Sequence, residues 1–327
     1  MRTIGVLTSG GDAPGMNAAI RAVVRGGILQ GLTVVGIGHG YQGLVEGELI
    51  PLPMRSVSGH LHRGGTLLAT ARSDDFMTEA GFAKALATLN QNGIDGLAVI
   101  GGDGSYRGAL ALAKAGIQVV GIPGTIDNDI PGTEYTIGFD TAVNTCVELS
   151  DKLRDTAQSH ERCSVIEVMG RHCGNIALAA GLACGATAIL VPEIATDFEQ
   201  DILTRIDETR STGKRHFILI VSEGVFGEGF PFKDSAEIAA AVTERLGVPA
   251  RTTVLGHVQR GGNPTARDRI IAAEMGYYAA ELLSRKGSPK AVCYRDGKVC
   301  DRDLAAALAM PKPFDFEQYR MAMAVSG

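Results

Sequence analysis

The feature that most constrains the fold of this chain is a repeat of apolar runs that end in polar, glycine-rich turns. Thr3–Thr8 leads into the turn Ser9–Gly15, and Gly96–Ile100 leads into Gly101–Ser105. Further apolar runs lie at 32–37, 117–122, 164–169, 186–191 and 216–222. Stretches with helical periodicity lie between many of them, at 17–29, 80–90 and 139–156. This alternation predicts buried parallel strands linked by helices, and thus a doubly wound α/β fold.

A third turn, Pro123–Asp129, carries two carboxylates directly after one of these runs. Asp127 and Asp129 would therefore lie at the carboxyl end of a parallel strand, where open α/β sheets bind ligands. Carboxylates in that position can hold a magnesium ion or accept a proton from an attacking hydroxyl. In the other two turns, glycines and helix N-termini favour phosphate. Together the three turns predict a polyphosphate site.

Composition and charge exclude several classes of protein. The 327 residues are enough for about two domains. The chain is 45% hydrophobic, but it has no apolar run long enough to cross a membrane. Its net charge of −5 argues against a nucleic-acid partner, which normally binds a basic face. The first residues have a strand pattern and no export signal, so we expect a cytoplasmic protein.

Three other patterns carry less weight. Gly38–Gly43 spells G-x-G-x-x-G, but neither a long helix nor a suitably spaced acid follows, so we do not expect a dinucleotide site. His60 and His62 lack a third ligand nearby, which argues against a metal site. The six cysteines contain no C-x-x-C pair and are expected to be buried and reduced. An activity-linked thiol at Cys163 or Cys173 is the alternative.

An ordered set of motifs resembles the bacterial ATP-dependent 6-phosphofructokinase family along essentially the whole chain. The set comprises SGGDAPGMNAAIR from Ser9, GGDGS from Gly101, PGTIDNDI from Pro123, the run Ser159–Arg162, VMGRHCG from Val168 and LGHVQRGG from Leu255. The GGDG turn alone is not specific, because other kinases use a similar one. The resemblance implies two doubly wound, Rossmann-like α/β domains with the active site in the cleft between them. It implies an ATP-binding domain at 1–138 plus 258–309, and a sugar-phosphate-binding domain at 139–257 plus 310–327.

The resemblance also implies phosphorylation of fructose 6-phosphate at its 1-hydroxyl. Asp127 matches the general base, Thr125 would place a hydroxyl beside the transferring group, and Asp129 would support the site electrostatically. Arg171 would neutralise the transferring phosphoryl group, and Arg72 would bridge the donor and acceptor phosphates. The alternative for the two aspartates is closure of an Asx-turn, for which one carboxylate would suffice.

The implied nucleotide is Mg-ATP, with Asp103 holding the magnesium ion directly or through water. The residues implied at the nucleotide are Gly11, Tyr41, Arg72, Ser73, Gly102, Asp103, Gly104 and Ser105. Tyr41 would stack on the adenine. Ser73 and Met77 differ from the aromatic and basic residues that are common in the family at these positions.

Two small residues bear on the phosphoryl donor. Gly104 and Gly124 stand where pyrophosphate-using members of the family typically carry an acid and a lysine. Those larger side chains obstruct the region of the nucleotide's α-phosphate. ATP is therefore the expected donor for this chain.

Arginines would hold the sugar phosphate, because their planar forks suit phosphate oxygens. The residues implied at the sugar phosphate are Thr125, Asp127, Arg162, Met169, Gly170, Arg171, Glu223, Arg251, His257 and Arg260. Glu223 would accept hydrogen bonds from the sugar hydroxyls. In the family some of these residues come from a neighbouring subunit, so the resemblance implies a homotetramer.

An effector site for ADP or phosphoenolpyruvate is implied by a second set of basic residues. The set is Arg21, Arg25, Arg154, Lys214 and His216, of which the first two lie one helical turn apart. Gly59 and Thr187 replace acids of the family's site, and Thr212 replaces a base. A site that keeps its cations but lacks the acid at 187 is expected to accept an anionic inhibitor and to respond weakly to ADP.

Two other functions stay open at this point. A related kinase for another phosphorylated sugar or nucleotide would also fit the GGDG turn, although the arginine set favours fructose 6-phosphate. A sensor that keeps the fold without catalysis is the second alternative. Asp103, Asp127 and Arg171 argue against a sensor, since binding alone would not need all three.

Overall fold

Two β-sheets organise this computed structural model, which describes residues 2–326. Within that range the strands are β1 (Thr3–Ser9), β2 (Thr33–Ile37), β3 (Leu49–Pro51), β4 (Ile94–Gly101), β5 (Gln118–Pro123), β6 (Cys163–Val168), β7 (Ala188–Leu190), β8 (Phe217–Ser222), β9 (Ala250–Val254), β10 (Lys290–Arg295) and β11 (Lys298–Asp303). The α-helices are α1 (Met16–Leu29), α2 (Tyr41–Glu46), α3 (Glu79–Gln91), α4 (Asp103–Lys114), α5 (Phe139–Ser159), α6 (Asn175–Cys184), α7 (Arg205–Ser211), α8 (Ser235–Leu246), α9 (Ala266–Ser284), α10 (Leu304–Leu308) and α11 (Phe316–Ala324). Short 3₁₀ helices cover Asp75–Met77, Glu223–Val225 and Gly256–Arg260, and a π-helix covers Phe198–Thr204.

The chain divides into two compact units. The first unit runs to Thr141 and includes Arg260–Lys312. The second comprises Ala142–Gln259 and the chain from Pro313 onwards. The chain therefore passes from one unit to the other more than once.

The first unit is built on a seven-stranded sheet in the order β11-β10-β5-β4-β1-β2-β3. The five central strands are parallel, and β3 and β11 pair antiparallel at the two edges. After the β2–β3 pair, the chain returns to the other side of β1 to form β4. This reversal of strand order makes a topological switch point between β1 and β4, which is where open α/β sheets bind ligands.

The second unit is built on a four-stranded parallel sheet in the order β7-β8-β6-β9. Its strand β6 lies between β8 and β9, so β6 is central and β9 is an edge. Every residue of β8 is buried, as expected for a parallel strand covered on both faces. Each large apolar side chain buried in this way contributes about 1.5–3 kcal/mol.

The seven predicted parallel strands and the three predicted helices are confirmed, with their ends shifted by a few residues at most. The doubly wound α/β prediction is likewise confirmed. Four strands were not predicted: β3 has only three residues and is largely exposed, and β9, β10 and β11 mix polar and apolar residues and are partly exposed. Across residues 2–326, no helix is both long and apolar enough to span a bilayer.

Candidate active site

The register of the seven-stranded sheet lines up the three predicted turns. Ser9 at the end of β1 pairs with Gly101 at the end of β4, and Gly101 pairs with Pro123 at the end of β5. Because the three strands are parallel, the turns that follow them leave the sheet at the same edge. Two hydrogen bonds join the turns: Ser105 Oγ donates to the Ser9 carbonyl at 2.9 Å, and Gly124 N–H donates to the Gly101 carbonyl at 3.1 Å. The structure thus assembles the three turns into one surface.

Thr125 and Asp127 are buried side by side in the third turn, at 8% and 3% exposure. The Thr125 hydroxyl accepts a hydrogen bond from the Asp127 N–H at 3.2 Å. From behind, the Thr136 hydroxyl donates to the Thr125 carbonyl at 2.7 Å, and the Thr125 N–H donates to the Ile137 carbonyl at 3.1 Å. A Cβ added at Gly102 would lie 4.0 Å from the Cβ of Thr125, so the GGDG turn faces Thr125. The backbone therefore holds Thr125 next to the GGDG turn, and the buried Asp127 lies two residues further along the same turn.

Asp103 is the first residue of α4, so its carboxylate lies at the positive end of a helix. Its Oδ2 lies 2.8 Å from Nε of Arg107, one turn further along the helix. A Cβ added at Gly104 would meet no atom within 4 Å, so the first turn of α4 is open. Within residues 2–326, no three His, Cys, Asp or Glu side chains group to hold a metal ion. A magnesium ion at Asp103 would take its other ligands from phosphate oxygens and water.

Arg260 lies against the first glycine-rich turn. Its Nη1 donates to the Asp12 carbonyl at 3.2 Å, and a Cβ added at Gly11 would overlap its guanidinium. A larger residue at position 11 would have to displace this guanidinium. Arg260, which the resemblance assigned to the sugar phosphate, therefore adjoins the turn assigned to the nucleotide.

Arg72 lies in a loop that is bonded to strand β1 and the first turn. The Thr70 hydroxyl donates to the Gly10 carbonyl at 2.8 Å, and the Thr8 hydroxyl donates to the Ala69 carbonyl at 2.8 Å. The Arg72 side chain itself is exposed. The loop thus brings Arg72 to the border of the surface formed by the three turns.

Tyr41 and Ser73 make contacts within the protein. The Tyr41 ring is 5% exposed, stacks on Phe76 with the ring centroids 4.3 Å apart, and donates its hydroxyl to the Ser105 carbonyl at 2.5 Å. Burial raises the pKa of Tyr41. The Ser73 hydroxyl donates to Gln42 at 2.7 Å and accepts from the Phe76 N–H at 3.1 Å. Tyr41 therefore supports the GGDGS turn through its hydroxyl, and Phe76 covers one face of its ring.

In the second unit, the segment Met169–Arg171 leaves β6 beside Glu223, which follows β8. The last residues of β6 and β8 pair in register. Oε1 of Glu223 accepts hydrogen bonds from the N–H of Gly170 at 3.2 Å and from that of Arg171 at 2.8 Å. Arg171 adopts a φ of 59°, which is unusual for a residue other than glycine. The Glu223 carboxylate holds this loop in place and leaves the Arg171 side chain exposed.

Gln259 is a positioning residue that was not among the predicted site residues. It is fully buried, and its Oε1 accepts hydrogen bonds from the Met169 N–H at 3.1 Å and from Sγ of Cys146 at 3.2 Å. Its Nε2 donates to the Gly256 carbonyl at 2.9 Å. Gln259 thereby connects the Met169 loop to the 3₁₀ helix that carries the exposed His257. Its only sequence signal was its position within the LGHVQRGG motif.

Arg162 and Arg251 lie at the opposite end of the same sheet. Arg162 directly precedes β6, and Arg251, second in β9, pairs with Ser164. Arg162 Nη2 donates to the Thr156 hydroxyl at 3.0 Å. With a rise of about 3.3 Å per residue, these backbone positions are roughly 20 Å from Met169. One copy of the second unit therefore does not bring these two arginines together with the other predicted sugar-phosphate residues.

The predicted effector cations form two groups. Arg21 and Arg25 lie on α1 in the first unit, where burial and the neighbouring Arg25 lower the pKa of Arg21. Arg154, Lys214 and His216 lie in the second unit. Burial, Lys214 and Arg154 together lower the pKa of His216, and burial and Arg154 lower that of Lys214. These last three side chains thus form a cluster, in which the charges of Arg154 and Lys214 disfavour protonation of His216.

All six cysteines are free thiols. Cys146, Cys163, Cys184 and Cys293 are buried, whereas Cys173 and Cys300 are partly exposed. Burial raises the pKa of Cys146, Cys163 and Cys293 to about 12. Because the thiolate is the reactive form, these buried thiols are chemically quiet.

Comparison with known proteins assigns the chain to a family by sequence. Residues 3–283 match the family model described as Phosphofructokinase. A protein of Clostridium tetani named ATP-dependent 6-phosphofructokinase is 52% identical over 326 residues, which cover 100% of both chains. A protein of Clostridium botulinum with the same name is 52% identical over 327 residues and also covers both chains completely.

Solved structures show the same fold. Phosphofructokinase from Saccharomyces cerevisiae matches 99% of this chain with a TM-score of 0.89 at 36% identity, and the Pichia pastoris enzyme in the T-state matches 99% with 0.90 at 36%. This chain spans 47% and 36% of those two chains. A pyrophosphate-dependent phosphofructokinase from Marinobacter aquaeolei has a TM-score of 0.86 at 22% identity, covering 100% of this chain and 92% of that one, so the fold alone does not decide the donor. From the family match and the full-length relatives, the chain belongs to the phosphofructokinase family.

Proposed function

We propose that the protein transfers the γ-phosphoryl group of ATP to the 1-hydroxyl of fructose 6-phosphate, giving fructose 1,6-bisphosphate and ADP. The observation that carries the proposal is the buried Asp127 beside Thr125, whose Cβ faces Gly102 of the GGDG turn. Phosphoryl transfer needs a positioned hydroxyl, phosphates held in line, and cations that face the developing charge. The names of the full-length relatives support both substrates.

Asp127 is the general base of this reaction. It takes the proton of the 1-hydroxyl while that oxygen attacks the γ-phosphorus, and the bond from phosphorus to the departing ADP oxygen breaks. Thr125 offers its side chain beside the transferring group, and Asp129 adds negative charge that keeps Asp127 basic. Arg171 and Arg72 stabilise the charge on the transferring phosphoryl oxygens.

The nucleotide phosphates bind at the edge where β1 and β4 end. The residues assigned to the nucleotide are Gly11, Tyr41, Arg72, Ser73, Gly102, Asp103, Gly104 and Ser105. Asp103 would hold a magnesium ion, which when bound neutralises phosphate charge and orients the γ-phosphate. The open first turn of α4 and its positive dipole support this assignment. Tyr41 acts mainly through Ser105, because its ring is almost wholly buried.

The second unit binds fructose 6-phosphate. Met169, Gly170 and Arg171 line the sugar, and Glu223 accepts from a sugar hydroxyl with the oxygen that does not bond the loop. Arg162, Arg251 and His257 hold the 6-phosphate together with Arg260. In this assignment the first unit is the ATP-binding domain and the second is the sugar-phosphate-binding domain.

Oligomerisation is required for this sugar-phosphate site. Arg162 and Arg251 lie at the amino end of the four-stranded sheet, whereas Met169 and His257 follow strands at its carboxyl end. An arginine side chain is too short to bridge a gap of roughly 20 Å. Arg162 and Arg251 therefore serve the site of a neighbouring copy, and we propose a homotetramer as the complete enzyme.

ATP is the donor, and the effector is a compact anion. Gly104 leaves the first turn of α4 unobstructed, as a nucleotide requires and pyrophosphate does not. Arg21, Arg25, Arg154, Lys214 and His216 bind phosphoenolpyruvate more readily than ADP, because the acid that would help to bind a nucleotide's metal ion is replaced by Thr187. With these glycolytic substrates the protein would work in the cytoplasm.

The experiment that tests the proposal measures ADP production by the purified protein with Mg-ATP and fructose 6-phosphate. A parallel reaction with pyrophosphate tests the donor, and Asp127→Ser tests the base. Turnover with ATP that the substitution abolishes is the expected result. Turnover with pyrophosphate alone would overturn the donor. If neither donor supports turnover, the protein is a sensor or a kinase for another acceptor.

A further inference from the structure

The ion pair between Asp103 and Arg107 occupies the carboxylate that we assign to magnesium. Both residues lie on one face of α4 at spacing i, i+4, and Nε of Arg107 donates to Oδ2 of Asp103 at 2.8 Å. The Arg107 side chain is 70% exposed and that of Asp103 39% exposed. An exposed pair of this kind contributes little to stability, so it breaks at small cost.

A second observation is the empty space over the first turn of α4. A Cβ at Gly104 would meet no atom within 4 Å, and the first backbone N–H groups of a helix have no partner within the helix. A phosphate bound there lies within the reach of an arginine side chain one turn away. The guanidinium fork suits phosphate oxygens as well as it suits a carboxylate.

Charge determines which partner Arg107 prefers. Without a metal, the Asp103 carboxylate is the nearest anion for Arg107. A divalent cation on Asp103 cancels that charge and repels the guanidinium, while the nucleotide phosphates bring new negative charge beside it.

We propose that Arg107 is a metal-linked nucleotide-binding residue: it pairs with Asp103 when no metal is bound and turns to the phosphates when Mg-nucleotide binds. This inference rests on the proposed Mg-ATP site at Asp103. Arg107 then favours the binding of Mg-ATP over that of metal-free ATP, because metal-free ATP leaves Arg107 paired with Asp103.

The test is equilibrium binding of ATP by calorimetry, without fructose 6-phosphate, in magnesium and in EDTA. Arg107→Gln is expected to weaken Mg-ATP binding by about tenfold, as for one lost charge-assisted hydrogen bond, and to change metal-free ATP binding by less than twofold. Arg107→Lys should recover part of the affinity, since it restores the charge without the fork. Lys152→Gln is the matched control, because it breaks the exposed i, i+4 pair Glu148–Lys152 on α5. It should leave both affinities unchanged.

A double-mutant cycle with Asp103→Asn distinguishes an error in the role of Arg107 from an error in the assignment of magnesium to Asp103. In the D103N background Arg107 is released, so R107Q should now weaken metal-free ATP binding by several-fold. An equal effect of R107Q with and without magnesium, or no effect in either condition, would overturn the role of Arg107. If D103N leaves Mg-ATP binding unchanged, the metal assignment to Asp103 is itself wrong.

Discussion

Asp268 of α9 caps the start of α5 from outside that helix, by accepting hydrogen bonds from both the backbone N–H and the hydroxyl of Thr141. The N–H bond is 2.9 Å long, and the same carboxylate accepts from the Gly138 N–H at 2.8 Å and from the Tyr135 hydroxyl. Asp268 is fully buried, and burial raises its pKa although these donors oppose the rise. The segment that it holds is the one whose Ile137 pairs with Thr125 behind the Asp127 turn.

Asp268→Ala should therefore cost much more stability than the loss of an ordinary helix cap. Each buried donor left unpaired costs about 1–3 kcal/mol, so the total should reach at least ~3 kcal/mol. Asp303→Ala is the control, because Asp303 caps α10 through a single 2.9 Å bond from the Ala306 N–H and should cost about 1 kcal/mol. Thermal unfolding of the two variants measures the difference. Equal losses of stability in the two variants would mean that the hydrogen bonds to Asp268 together stabilise the protein no more than the single bond to Asp303.

Asp127→Ser should lower kcat by on the order of 10²-fold or more, because the attacking hydroxyl loses its base. The apparent affinity for fructose 6-phosphate should change little, since the sugar is held mainly by other residues. Steady-state kinetics over a range of both substrates separates kcat from KM. A rise in KM with unchanged kcat would assign Asp127 to binding and not to proton transfer.

Gly104→Asp should lower kcat/KM for Mg-ATP by on the order of 10²-fold, because it places an anion beside the nucleotide phosphates. The variant should fold normally, since nothing lies within 4 Å of the new Cβ. Gly227→Asp is a matched control, as its Cβ also meets open space but lies in the second unit. Full ATP activity in Gly104→Asp would show that this glycine does not select the donor.

Co-expressed Asp127→Ser and Arg251→Ala chains should form active hybrids, although each variant alone is strongly impaired. If Arg251 serves a neighbouring copy, a site with an intact Asp127 can receive an intact Arg251 from an Asp127→Ser chain. Up to about half of the sites should recover on this geometry. Activity of purified hybrids that carry two different tags provides the measurement. Hybrids no more active than the two parents would place Arg251 in the site of its own chain.

Phosphoenolpyruvate should bind the cluster of Arg154, Lys214 and His216 more tightly at pH 6 than at pH 8. Burial, Lys214 and Arg154 lower the pKa of His216, so in the free protein the neutral ring persists below the usual titration range. Because its pKa is lower in the folded state, His216 also makes folding depend on pH. Its contribution to the free energy of unfolding is fully present above the unfolded pKa and is lost as pH falls towards the lower pKa of the folded protein. A bound anion raises the pKa again, so that binding takes up a proton.

Calorimetry in buffers of different ionisation enthalpy measures this proton uptake directly. His216→Gln is the control, because any pH dependence that it retains comes from titration of the ligand phosphate itself. Identical proton uptake in the wild type and in His216→Gln would exclude His216 from the linkage.

The strand-and-turn pattern of the sequence predicted the central strands because buried parallel strands are apolar on both faces. Strand β11 is the sheet edge and β10 lies next to it; both mix charged and apolar residues and are only partly buried, so they have no such signal. A different signal was present between them: Asp296 and Gly297 both adopt positive φ, as the Asp-Gly pair of a two-residue hairpin turn requires. The Asp-Gly pair therefore predicts this hairpin, although the pattern of apolar residues does not.

Local sequence by itself determined the seven apolar strands, the glycine-rich turns and the residue types suited to phosphate chemistry, because these depend on backbone sterics and side-chain polarity over a few residues. Only the tertiary structure decided which of those residues meet. The alignment of Ser9, Gly101 and Pro123 depends on strand order and register, as does the separation of Arg162 from Met169 along β6. The contacts of Arg260 with the Gly11 turn and of Gln259 with Met169 likewise join residues far apart in the chain. Such non-local contacts form through the packing of whole sheets and helices, which no short stretch of sequence encodes.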